Sequence, residues 1–71
     1  MGNEFGCKGL AESIIVLKNG AKFYVDNTVS DIENQIRSDE ERINVEMSMI
    51  VSKGKKLSIQ KERIDKFYLN K

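Results

Sequence analysis

Apolar and polar positions change rhythm several times along this chain, and each change predicts an element. From Glu12 to Asp26 two apolar runs, Ile14-Ile15-Val16-Leu17 and Phe23-Tyr24-Val25, flank Lys18-Asn19-Gly20. Asn-Gly between β-rich runs is a strong hairpin signal, because a type I′ turn needs positive φ at both central residues. A two-residue Asn19-Gly20 loop sets Leu17 opposite Lys22, Val16 opposite Phe23, Ile15 opposite Tyr24 and Ile14 opposite Val25. Strand alternation then assigns Ile14, Val16, Phe23 and Val25 to the core face. Ile15, Leu17 and Tyr24 fall on the opposite face. A hairpin with two apolar faces needs a second cover, from the N-terminal arm, the C-terminal strand or another subunit.

After the hairpin the period lengthens. Val29, Ile32 and Ile36 recur at i, i+3 and i+7 and form one narrow helical stripe. Thr28 and Ser30 both suit the N-cap; Ser30 with Glu33 fits the capping box, and Thr28 with Asp31 fits it more loosely. The helix fades across Ser38-Asp39-Glu40-Glu41-Arg42, which has no apolar residue. Period two returns from Ile43 to Val51, where Ile43, Val45, Met47, Met49 and Val51 alternate with residues that are polar except Ile50. A turn at Lys53-Gly54-Lys55 leads to Leu57 and Ile59, and matching the apolar faces pairs Val51 with Leu57 and Met49 with Ile59. The tail suits a short turn at Lys61-Glu62-Arg63 and a last strand from Ile64 to Leu69. Residues 1–10, with Gly2, Gly6 and Gly9, read as a flexible arm, and 11–71 as a single domain. The expected fold is α+β, ββαββ with a fifth strand: an antiparallel sheet and one short helix.

Length adds a constraint. A chain of 71 residues buries only about 60% of its unfolded surface and is marginal without a staple or a partner. One cysteine, Cys7, allows no internal disulfide, and the absence of histidine removes the usual zinc sites. Cys7 reads as a free thiol in a reducing compartment. Oligomerisation is the remaining common remedy. The expected interface residues are Ile15, Leu17, Tyr24, Phe67 and Tyr68.

No stretch approaches the ~20 apolar residues of a membrane helix, and no secretory leader precedes the domain. A cytoplasmic protein without membrane contact is expected. Catalysis is not: there is no histidine to act as a base, and the serines lack a nucleophile-elbow context. Asp39-Glu40-Glu41 reads as solvated charge, since consecutive helical positions diverge and calcium loops need a glycine-punctuated pattern. No cofactor or metal is expected.

The net charge of +1 hides a separation. Residues 28–46 hold Asp31, Glu33, Asp39, Glu40, Glu41 and Glu46 against Arg37 and Arg42. Residues 47–71 hold Lys53, Lys55, Lys56, Lys61, Arg63, Lys66 and Lys71 against Glu62 and Asp65. Ordinary solvated surface accounts for this. The sharper readings are protomers stacking acidic side to basic side, or an anionic partner on Lys53, Lys55, Lys56, Lys61 and Arg63.

The segments Ile15-Val16-Leu17-Lys18-Asn19-Gly20 through Phe23-Tyr24-Val25, then Val29-Ser30-Asp31-Ile32-Glu33, and later Leu57-Ser58-Ile59 and Ile64 resemble the flagellar FlbD family and similar phage-encoded proteins of Gram-positive bacteria. The likeness covers residues 14–36 and 57–69. It departs in the glycine-rich start and in the long 43–51 strand. The resemblance implies a small non-enzymatic bacterial or phage protein and transfers no functional residues. The expected function is thus a non-catalytic binding or regulatory protein, such as a phage or mobile-element inhibitor, acting as a homo-oligomer through protein–protein contacts. Two alternatives stand beside it. One is nucleic-acid binding through the basic C-terminal hairpin. The other is capture of an anionic small molecule at a subunit junction, lined by Lys or Arg and by Tyr24 or Tyr68.

Overall fold

The computed structural model describes residues 3–50 and 55–71. In chain order it holds β1 (Glu4–Phe5), a 3₁₀ turn (Lys8–Leu10), β2 (Ser13–Leu17), β3 (Lys22–Val25), α1 (Val29–Arg37), β4 (Arg42–Glu46), β5 (Lys56–Gln60), a second 3₁₀ turn (Lys61–Arg63) and β6 (Ile64–Leu69). The fold is α+β, as the alternating periods predicted. A four-stranded sheet runs β1-β3-β2-β6, and β4 pairs with β5 in a second sheet. An antiparallel bridge from Val25 to Met47 joins the two, flanked by bonds from Asp26 N to Glu46 O and from Ser48 N to Tyr24 O. Ile15, Leu17, Val25, Ile32, Ile43, Val45, Met47 and Ile59 close one core between both sheets and α1.

The first hairpin forms where expected, in a different register. Leu17 N donates to Ala21 O at 2.8 Å and Gly20 N donates to Leu17 O at 2.9 Å. The loop therefore has three residues, Lys18-Asn19-Gly20. Gly20 takes φ +94°, while among the described residues no non-glycine residue has positive φ. Asn19 thus cannot serve a type I′ turn. A type I turn closed by a left-handed glycine bulge replaces it, the other common hairpin solution. The Asn19 carboxamide oxygen accepts from Ala21 N at 2.9 Å and fastens the turn.

That extra residue sets Val16 opposite Lys22, Ile15 opposite Phe23 and Ile14 opposite Tyr24. A one-residue slip exchanges the faces of β2. Ile15 and Leu17 enter the core, whereas Ile14 and Val16 join Tyr24 in a small second cluster. Phe23 and Val25 keep their expected side.

The second face has an internal cover. The segment expected to be a flexible arm is built into the fold over residues 3–10: β1 pairs in parallel with β3, Lys22 N donates to Asn3 O, and Cys7 N donates to Ser48 O. Ala11 packs on the Ile14–Val16–Tyr24 cluster. The Asn70 side chain ties the end of the chain across to Lys8 O at 2.7 Å and Ala11 O at 3.0 Å. Gly6 permits the crossing. Its φ is +96°, and a Cβ there would stand 2.5 Å from Tyr24 O.

Thr28 is the N-cap of α1, its hydroxyl accepting from Asp31 N at 3.0 Å. Of the apolar stripe, Ile32 is fully buried. The second strand expectation changes more. Leu57 faces Val45 and Ile59 faces Ile43, not Val51 and Met49. The shift is six residues, an even number, so every apolar residue keeps its face; alternation sets parity and leaves the partner open. Beyond Glu46 the chain passes from β5 to the end of β3, and strand geometry ends there. Val51 and the Lys53-Gly54 part of the expected turn lie outside the described residues. The last strand and the turn before it form at the expected positions.

Candidate partner-binding surface

At the margin where β1 meets β3, the sheet's core face opens into a groove. Phe5 stacks on Phe23 with ring centroids 5.0 Å apart and an interplanar angle of 19°. Parallel pairing of Phe5 with Phe23 places both rings on one side, so the stack follows from register. Met47 and Met49 leave the end of β4 beside it, and Leu57 contributes from β5. Together these line a groove of about 500 Å³ whose rim carries Lys55 and Lys56. Phe5 is 47% exposed, and neighbouring Ile50 is 76% exposed. Unbranched thioethers beside an aromatic floor adapt to varied apolar shapes.

Few of these residues stood out in the sequence. Met47 lies in the core and Met49 packs against it, in keeping with their place on the apolar side of the 43–51 alternation, whereas Phe5 lies in the segment expected to be a flexible arm. Their meeting in one groove depends on β1 pairing with β3, which no local pattern announces.

The expected interface residues separate. Ile15 and Leu17 belong to the core and are unavailable to a partner. Tyr24 is buried too, and its hydroxyl donates to the Glu4 carboxylate at 3.1 Å. Burial, reinforced by that carboxylate, pushes the Tyr24 phenol above its ordinary range. Phe67 is half-buried against the core. Tyr68 is 38% exposed on β6, with the Lys66 ammonium 6.0 Å from its ring centroid.

The basic residues separate as well. Lys55 and Lys56 stand at one end of β5, and Lys61 and Arg63 follow its other end, about 15 Å away at strand rise. Lys61 is committed: its ammonium donates to Ile36 O at 3.0 Å and to Ser38 O at 2.6 Å, closing the C-terminus of α1. Arg63 and Arg42 line a separate cleft of about 300 Å³ over Leu17, Phe23 and Leu57. Tyr24 and Tyr68 both lie opposite Ile14, on the face of the sheet away from the main core. Lys53 lies outside the described residues.

Among the described residues, no helix is long and apolar enough to cross a membrane. No family model matches the chain, and no curated protein or solved structure is significantly similar to it.

Proposed function

We propose that this chain is a non-catalytic binding protein of a bacterial or phage cytoplasm, acting as a homo-oligomer and gripping an apolar, acid-flanked segment of a protein partner in the Phe5–Leu57 groove. The observation that carries this reading is the groove itself: the half-exposed Phe5 stacked on Phe23 and the partly buried Met49, with the core residue Met47 also in the lining. Exposed apolar surface bounded by charge marks interaction sites. The ammonium groups of Lys55 and Lys56 favour acidic side chains at the ends of an apolar segment. The FlbD-like pattern is consistent with the same non-enzymatic role.

Methyl-detected NMR tests it directly, because Met47 and Met49 report from inside the groove. A synthetic peptide with a leucine-rich centre and glutamate flanks should shift both methyl resonances saturably. Reversing Lys55 and Lys56 to Glu should weaken binding roughly tenfold, from two partly desolvated charge contacts. Unmoved methyl signals at millimolar peptide would refute the groove reading. Among the described residues, Lys55 and Lys56 stand at the opposite end of β5 from Lys61 and Arg63, which favours the groove over a continuous basic track.

A further inference from the structure

The sheet that ends in β1 on one side ends in β6 on the other. Among the described residues β6 has no neighbour beyond β2. This edge contains no proline and pairs regularly with β2 from Lys66 to Leu69, with a register shift at Asp65, and its exposed residues include Tyr68 and Leu69, the latter 45% accessible. Long edges of this kind are usually blunted or paired.

The direction of the free backbone groups is fixed. Asn70 N donates to Glu12 O of the β2 side, so Asn70, Tyr68 and Lys66 turn their peptide groups inward. Leu69 and Phe67 turn theirs outward, and Lys71 follows in the same alternation. An antiparallel partner must match outward residues with outward residues. For two copies of β6 about a two-fold axis, only registers centred on a residue meet that condition.

Side-chain chemistry chooses among these registers. Centring on Lys66 sets two lysines face to face. Centring on Phe67 sets Asp65 against Leu69 and Arg63 against Lys71. Centring on Tyr68 pairs Tyr68 with its own copy, Phe67 with Leu69 twice, Lys66 with Asn70 twice and Asp65 with Lys71 twice. Every pair in that register is aromatic, apolar, polar or oppositely charged, the combinations that stabilise neighbouring strands.

We propose that a second copy of this chain docks on β6 in the register centred on Tyr68, extending the four-stranded sheet to eight strands. The inference rests on the homo-oligomeric reading above and supplies its contact. It leaves the Phe5 grooves at the two far ends of the joined sheet, where one dimer can hold two partner segments and gain avidity.

The test combines a cross-link with a charge swap. In a Cys7→Ser background, Tyr68→Cys places two thiols on a non-hydrogen-bonded pair about 4.5 Å apart at Cα, within disulfide reach. Mild oxidation should yield a covalent dimer, and a control cysteine at Ser58 on β5 should not. Separately, Asp65→Lys should raise the dimer dissociation constant about tenfold, since two symmetric attractions become repulsions. Asp65→Lys with Lys71→Asp should restore it. A defined oligomer that is insensitive to Asp65→Lys and does not cross-link through position 68 would overturn the β6 contact and keep self-association. A monomer at millimolar concentration by sedimentation would overturn both.

Discussion

Two residues, Gly6 and Tyr24, show how the first segment of the chain is held. Gly6 carries φ +96° and lets the backbone pass against Tyr24 O. Gly6→Ala adds left-handed strain to a 2.5 Å overlap with backbone, so about 2–3 kcal/mol of stability should be lost. Hydrogen exchange at the Lys22 amide, which bonds Asn3 O, should accelerate with it. Tyr24 contributes through its buried ring and its bond to Glu4. Its raised pKa has a definite sign. The unfolded phenol loses its proton near pH 10, while the folded one still holds it. The contribution is fully present below pH 10 and is lost as pH climbs through the folded value. Tyr24→Phe should therefore cost about 1 kcal/mol at pH 7, and its melting temperature should fall less than the wild type's between pH 9 and 11.

At the scale of elements, polar side chains stand in for missing strand neighbours. The Gln35 carboxamide bonds the Asn44 backbone twice, donating to its carbonyl and accepting from its amide, each at 2.8 Å. The Asn27 side-chain oxygen accepts from Glu46 N at 2.8 Å. The edge of β4 away from β5 is thus paired by α1 and the residue before its cap instead of by another strand. Gln35→Leu removes both bonds while keeping helix propensity, and should cost about 1–2 kcal/mol in urea unfolding. The hairpin makes a second element-scale test. Gly20 has open space around it but φ +94°, so Gly20→Ala should cost about 1 kcal/mol from backbone strain alone, with Gly20→Asn milder.

For the whole molecule the margins of the main sheet differ in kind. The β1 side presents the Phe5–Phe23 stack and Met49 beside Lys55 and Lys56; β6, among the described residues, pairs only with β2. Charge gathers little within the fold, and among the described residues one ion pair forms, Arg37 with Glu33 at 3.2 Å. Stability should accordingly vary little between 50 and 500 mM salt, since exposed pairs contribute about 0–1 kcal/mol. Thermal melts across that range check this, and a steep dependence would point to charge contacts between protomers.

From β2 onward, sequence alone determined the kinds of element and their order, because periods of two and 3.6 are local properties of Ile43-Asn44-Val45 or of Val29, Ile32 and Ile36. It also set the sites of chain reversal at Gly20 and the final strand at Ile64–Leu69, and it offered Thr28 and Ser30 as helix caps, between which the structure chose Thr28. The tertiary structure decided what each strand faces. Asn19-Gly20 is compatible with a two-residue or a three-residue loop, and the choice moved Ile15 and Leu17 from an open face into the core. Alternation tolerates any even shift, so β5 could meet Val45 as well as Val51. The groove needs β1 beside β3, a pairing of two short segments nearly twenty residues apart that leaves no periodic trace. Local chemistry selects elements; the competition among long-range backbone pairings selects their neighbours, and the candidate surface exists only after that choice.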